Sequence, residues 1–293
     1  MDGAIIVDKP AGMTSHDVVN RMRRLSNIRK IGHLGTLDPL ATGVLPLLMG
    51  RATRLARFFA SEDKKYDARV RFGWATDTYD CQGSQVSDAV EPNFTRDELE
   101  AALAHYRGAF EQTPPPFSAK KIAGTPAYKL ARKHMPVELA PVDVQVFALE
   151  LEEFDGRTAR IRVHCSAGTY LRSIAHETGQ RLGCGAFLES LRRTASGDFT
   201  EEQAQTLEQL TSLAANGNIN DALIPAVRLL PELFSVTVDP VTVTQIRQGK
   251  DFRISPFLPK PASRYVKAIS QEDELVAIGE ARLPLLYHPV LVL

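Results

Sequence analysis

The chain has 293 residues, 44% hydrophobic and 24% charged, with 35 Lys plus Arg against 35 Asp plus Glu. That composition belongs to a globular protein with a sizeable core and excludes a disordered or collagen-like chain. It has no apolar run long enough to cross a bilayer as a helix, and its length predicts one large domain and one small one.

The opening MDGAIIVDKP lacks the basic region and long apolar core of a secretory signal, so the cytoplasm is the expected location. Residues 4–7 (AIIV) read as a short buried strand, and KPAGMTS after it as a turn-rich loop. A helix follows, with Ser15 as the expected cap, Val18, Met22 and Leu25 as its apolar stripe, and Arg21 and Arg24 on the outer side. The stretch 32–50, GHLGTLDPLATGVLPLLMG, is punctuated by Gly32, Gly35, Pro39, Gly43, Pro46 and Gly50, so much of it is expected to be shaped loop around Asp38. Residues 66–74 alternate as a half-buried strand, with Ala68, Val70, Phe72 and Trp74 inward. A helix is predicted over 95–108, where Thr95 and Glu98 form a capping box.

The segment 112–142 is proline-rich and basic, which suits a long exposed arm. Alternating strands at 144–151 and 158–165 are joined through Asp155-Gly156, a hairpin-turn dipeptide. Gly168 precedes a helix running to about Leu182, and GCGAFLESLRR is expected to lead into another. After Leu230 the short runs FSVTVD, ELVAIGEARL and PVLVL, broken by prolines, read as a small β domain. The expected boundary divides residues 1–230 from 231–293. Cys81, Cys165 and Cys184 are scattered and form no CxxC pair, which argues against a disulfide framework or a thiolate metal site; all three are expected to be small buried residues.

Although the net charge is zero, the charge is segregated. Between Asp17 and Glu62 lie Arg21, Arg23, Arg24, Arg29, Lys30, Arg51, Arg54 and Arg57, with Asp38 as the one carboxylate. From Gln112 to Val137 the chain carries Lys120, Lys121, Lys129, Arg132 and Lys133 and no acid. Such segregation fits a polyanion-binding face, and equally an ordinary solvated surface. Asp38, in a loop amid basic residues, would have its charged form favoured by neighbouring cations and serve as a nucleophile. Asp-Pro is also a common turn dipeptide whose side chain bonds local backbone, and the local pattern leaves both readings open.

Five segments in order decide between them. GHLGTLDPLATGVLPL (32–47) resembles the active-site motif of the TruB family of tRNA pseudouridine synthases, and DKPAGMTSHDVV (8–19) is similar to the motif that precedes it there. KKYDARVRFGWATDTYDCQG (64–83), PPPFSAKKIAGTPAYKLAR (114–132) and CSAGTYLRSIAHETGQRLGCGAFLESLRR (165–193) also resemble that family. The resemblance implies an α/β (α+β) fold, in which a pseudouridine-synthase mixed sheet with flanking helices is followed by a small β-rich, PUA-like C-terminal module that touches RNA. It further implies that Asp38 is the nucleophile, that Tyr66 lies against the target base and that Arg172 pairs with the aspartate. His33, Tyr170 and Leu191 map to positions around a flipped nucleotide, Lys9 and Lys120 to phosphate or site contacts, and 114–140 to an RNA-gripping loop.

The implied reaction turns one T-arm uridine of tRNA into pseudouridine, with no net redox. It needs no cofactor or metal, and the phosphate-loop, dinucleotide and zinc-deaminase motifs are all missing from the sequence. The base must leave its stack to be reached, which calls for aromatic residues to receive it. A single enzyme gripping one folded arm is expected to be a monomer with no obligate protein partner. The rival readings are the RNA-guided dyskerin-like branch, which shares the GTLDP motif, a non-catalytic RNA-binding or tRNA-folding protein, and a glycoside hydrolase, which would need two carboxylates flanking the bond.

Overall fold

The computed structural model describes the chain apart from residues 119, 123, 132, 134, 136, 138 and 260, with side chains undescribed at 121, 126 and 128. A large mixed sheet forms the body. Its strands run in the order Gln205–Thr206, Gly3–Lys9, Thr42–Met49, Ala186–Ser196, Lys64–Phe72, Thr158–Cys165, Val142–Phe154, Gly108–Gln112. Thr42–Met49 and Ala186–Ser196 pair in parallel through Arg192↔Thr42 and Arg193↔Gly43, while Ala186–Ser196 is antiparallel to Lys64–Phe72. Helices Ser15–Ser26, Arg96–Ala104, Leu171–Arg181 and Leu207–Ala215 supply the apolar side chains that close the core over the sheet.

A second, five-stranded sheet follows in the order Phe234–Thr237, Tyr265–Ile269, Leu275–Leu283, Leu286–Val292, Phe252–Arg253. An apolar cluster fastens it to the body: Ile6, Val44, Leu48 and Leu55 pack with Leu275, Ile278, Leu291 and Leu293. Lys267, buried, donates from Nζ to the carbonyls of Val227 and Leu229, pinning the connecting segment to the second sheet. The mixed sheet with flanking helices and the C-terminal β-rich sheet bear out the expected fold class.

Several local expectations change. The helix at 15–26 is capped by Thr14, whose side chain accepts from Asp17 N while Asp17 returns the bond, a reciprocal box that contributes about 1 kcal/mol. Ser15 is buried instead: its hydroxyl donates to Leu37 O (3.2 Å) and accepts from Leu37 N (2.8 Å). Within 32–50 the loop is confined to residues 34–41; Thr42–Met49 is a buried strand despite Pro46. Gly43 makes that possible, because φ is +96° and a Cβ there would run into the Arg193 carbonyl of the neighbouring strand.

The predicted helix after 184 is the strand Ala186–Ser196. Its register shifts between Leu188 and Ser190, so the inserted residue spaces buried Leu188 and Leu191 three apart and imitates a helical period. The 66–74 strand runs over Lys64–Phe72 and stops short of Trp74. The 95–108 helix ends at Ala104, and Gly108 opens a strand. Cys165 and Cys184 are buried, but Cys81 is exposed.

Candidate active site

Asp38 sits in the 34–41 loop, between the short strand Ile31–His33 and Thr42–Met49. The loop is held from below by buried groups. Ser15 fixes the Leu37 backbone, as above, and the Lys9 ammonium donates to the carbonyls of Pro10 (2.9 Å), Met13 (2.6 Å) and Pro39 (3.3 Å). Lys9 is fully buried, so it cannot reach an RNA phosphate; it braces the residue next to Asp38, which corrects the expected contact role. Burial pushes its ammonium down to about 8.

Arg172, at the second position of helix Leu171–Arg181, comes across the cleft to meet the aspartate. Its Nη2 donates to Asp38 Oδ1 (3.0 Å), and its Nε lies 2.8 Å from Oδ2 as a skewed ion-pair contact rather than a straight hydrogen bond. The guanidinium also donates to Thr78 O and Phe117 O, both at 3.1 Å, and its Nη1 lies 3.8 Å from Asp80. Its side chain is 4% exposed while that of Asp38 is 31% exposed, so the arginine is the fixed member and the carboxylate faces open space.

The helix start is fixed too. Buried Gln112 donates to Tyr170 O and accepts from Tyr170 N, clamping the residue before the helix from the edge strand.

A cleft of about 440 Å³ opens above Asp38, a size that suits a small ligand or one nucleotide. Its wall includes His33, Asp38, Tyr66, Tyr170, Arg172 and Leu191, bringing together six of the eight candidate site residues. Lys9 lies beneath the loop, and Lys120 is exposed and contributes nothing to the wall. Two further wall residues, Lys64 and Arg193, escaped the sequence reading. Once Ala186–Ser196 is a strand, alternation puts Arg193 on the same face as Leu191, just as Lys64 shares a face with Tyr66, and Arg193 pairs directly with Tyr66 across the sheet. The 114–140 segment forms the two-stranded pairing of Lys121–Ile122 with Thr125–Pro126 and the helix Ala127–Ala131; its residues 119, 123, 132, 134, 136 and 138 lie outside the described residues.

The electrostatics revise one expectation. Burial outweighs the neighbouring cations at Asp38 and raises its carboxyl above the ordinary value; Arg172 and Lys9 oppose that rise and Asp80 adds to it. Burial lowers His33, with help from Arg193, so the imidazole stays neutral near neutral pH; its buried Nδ1 has no partner among the described residues. Burial raises the Tyr66 phenol while adjacent Arg193 pulls it down.

Part of the basic patterning proves structural. Arg51 pairs with Asp2, Arg54 and Arg57 donate to the carbonyls of Val292 and Val290, and Arg23 donates to those of Arg29 and Ile31. Arg24, Arg29 and Lys30 remain exposed.

The whole architecture has known counterparts. A crystal structure of a Cbf5-Nop10-Gar1 complex superposes with a TM-score of 0.70 at 28% identity, over 97% of this chain and 79% of that one. The structure of an H/ACA RNP bound to a substrate RNA containing 2'-deoxyuridine gives 0.68 at 27%, over 95% and 78%. A mixed sheet of this topology, with an arginine-held aspartate at the cleft it shapes, defines the class: a pseudouridylate synthase.

Within that class, residues 23–171 match the N-terminal domain of the TruB family pseudouridylate synthases, and 172–231 match the tRNA pseudouridylate synthase B C-terminal domain. Curated relatives agree along the full length. A tRNA pseudouridine synthase B of Solibacter usitatus is 57% identical over 293 residues, all of both chains, and one of Aquifex aeolicus is 40% identical over 284 residues, 96% of each. The chain belongs to the TruB family.

Proposed function

We propose that the chain isomerises one uridine in the T-arm loop of tRNA to pseudouridine, with Asp38 as the nucleophile and no cofactor. The observation that carries this reading is a partly buried carboxylate held in place by a buried guanidinium, on the wall of a nucleotide-sized cleft. The reaction breaks N1–C1′ and rejoins the same two fragments through C5, so a positioned nucleophile and a cavity that retains the detached base are its main requirements. Tyr66, Tyr170 and His33 offer rings to a base drawn out of its stack, and Leu191 offers an apolar contact.

The choice of tRNA rests on the full-length relatives, whose names specify it. In this reading the enzyme acts alone, as a monomer in the cytoplasm, and not as a guided subunit of a particle. In the same reading, 114–140 with Lys120 grips the RNA, and residues 231–293 form a second domain that contacts it beyond the catalytic domain of 1–230.

The position is tested by incubating an unmodified tRNA transcript with the protein and mapping pseudouridine by carbodiimide treatment and primer extension. A single stop in the T-loop is expected. Stops elsewhere, with the T-loop unmarked, would overturn the choice of substrate.

A further inference from the structure

The cleft holds more positive charge than its own aspartate can answer. Its described wall contains three cations, Lys64, Arg172 and Arg193, and one carboxylate, Asp38, which Arg172 engages. Arg193 is 1% exposed, and its guanidinium meets no carboxylate: Nε donates to Val44 O (2.7 Å) and Nη2 to Gly35 O (3.2 Å), and the Tyr66 hydroxyl is its one side-chain partner among the described residues. Lys64 is 8% exposed and donates to Glu62 O (2.6 Å). Neither forms an ion pair among the described residues. The two converge on Gly35, where an added Cβ would lie 3.5 Å from Arg193 Nη1 and 3.7 Å from Lys64 Cε.

Buried cations without carboxylate partners are costly unless an anion arrives to meet them. We infer that Lys64 and Arg193 form an anion subsite in the cleft and that its occupant is the uracil base while it is detached and negatively charged. This rests on the pseudouridine reading above.

In that reaction the N1–C1′ bond breaks with its electron pair on uracil, spread over N1, O2 and O4, while an Asp38 oxygen bonds C1′. C5 then attacks C1′ and releases the carboxylate, the C5 proton leaves to water and N1 takes up a proton from water, so the base ends neutral. The position favours the base over a backbone phosphate. Lys64 and Arg193 project from the same faces as Tyr66 and Leu191, and both are more deeply buried than Asp38, whereas a phosphodiester tied to the rest of the RNA stays at the mouth. Fixed donors aimed at charge that exists only during reaction are the arrangement that accelerates chemistry without tightening binding.

Lys64 is the testable member, because Arg193 also holds the Gly35 and Val44 backbone. The groups facing its ammonium are Glu62 and Asp63 just before its own strand, Cys165 from the neighbouring strand and Arg193; burial and Arg193 press it down to about 8. The experiment compares wild type, Lys64→Gln and Lys64→Arg in single-turnover tritium release from saturating T-arm RNA labelled at uracil C5, with filter-binding Kd and a pH series.

Lys64→Gln should lower the bound-state rate by roughly 10²-fold with Kd unchanged, as loss of one oxyanion donor does, and Lys64→Arg should recover most of the rate. The wild-type rate should fall as pH rises through about 8; Lys64→Arg, whose guanidinium stays charged, should lose the Lys64 share of that fall and keep only what Lys9, also at about 8 beneath the Asp38 loop, contributes. A weakened Kd with the saturating rate intact would make Lys64 a phosphate contact and overturn the inference, as would a Lys64→Gln rate equal to wild type. If Lys64→Gln fails to fold, a Lys64→Arg enzyme whose alkaline fall is as deep as that of wild type overturns it. Absence of release by the wild type would instead sink the underlying pseudouridine reading.

Discussion

Replacing Arg172 by methionine tests how the nucleophile is held. The substitution keeps an unbranched apolar stem in the helix but removes both contacts to Asp38 and the donors to Thr78 O and Phe117 O. Breaking a buried ion pair by deleting one partner costs about 3–5 kcal/mol. Asp38 is 31% exposed and recovers some hydration, so the lower end, about 3 kcal/mol, is the better figure. That is a folding cost, read as a lower melting temperature; separately, a nucleophile released from its fork and misplaced by about 1 Å should lose roughly 10²-fold in the chemical step.

The pH profile adds a second signature. Burial already raises the Asp38 carboxyl, and Arg172 opposes the rise. Without the guanidinium the carboxyl rises further, so the acid limb of the rate profile moves to higher pH. Single-turnover tritium release across pH, with thermal melting as the control for folding, reads both effects. Arg172→Lys, which keeps the charge but loses the planar fork, should fall between the two enzymes. An Arg172→Met enzyme that works within roughly threefold of wild type, under 1 kcal/mol, with the same acid limb, would refute the reasoning.

Other consequences follow from the same contacts. Gln112→Ala strips both bonds from the Tyr170 backbone, and urea unfolding should show a loss of about 1–3 kcal/mol together with slower turnover. Gly43→Ala meets the Arg193 carbonyl at a positive φ, so its melting temperature should drop sharply or the protein should fail to accumulate in soluble form. The wild-type rate should decline on the acid side from a pH above the ordinary carboxylate range, since the reaction needs ionised Asp38 and burial raises its carboxyl. By linkage, that same raised carboxyl removes stability as pH rises from its unfolded value through its folded one, which acid-range melts of wild type and Asp38→Asn would reveal. Arg24→Glu and Lys30→Glu should weaken RNA binding and flatten its salt dependence, whereas Arg57→Ala should loosen the second sheet because that guanidinium holds the Val290 carbonyl.

What the sequence disclosed, and what it hid, follows from how far apart the interacting residues lie. Motifs carried Asp38, Tyr66, Arg172, His33, Tyr170 and Leu191, and the structure gathers them on one wall although they span 33–191. Local capping at Thr95 was readable because the box closes within four residues. The strand Ala186–Ser196 was not, since its bulge mimics a helical spacing and its two long partners, Lys64–Phe72 and Thr42–Met49, lie more than 100 residues away. Misreading that strand is also what concealed Arg193, whose role depends on facing the same way as Leu191. Lys9 and Ser15 stood in a recognisable motif, but only the fold reveals that they point inward to brace the Asp38 loop. Likewise, nothing local to Arg54 or Arg57 tells that their partners are carbonyls near the chain's end.

The most direct test of the central claim is tritium release from an unmodified T-arm RNA labelled at uracil C5, comparing purified wild type with Asp38→Asn and adding no cofactor. Release by the wild type and none by the variant, with RNA binding equal in both, is the predicted result. Equal release by the two enzymes, or binding without release by either, would contradict an aspartate-centred isomerase.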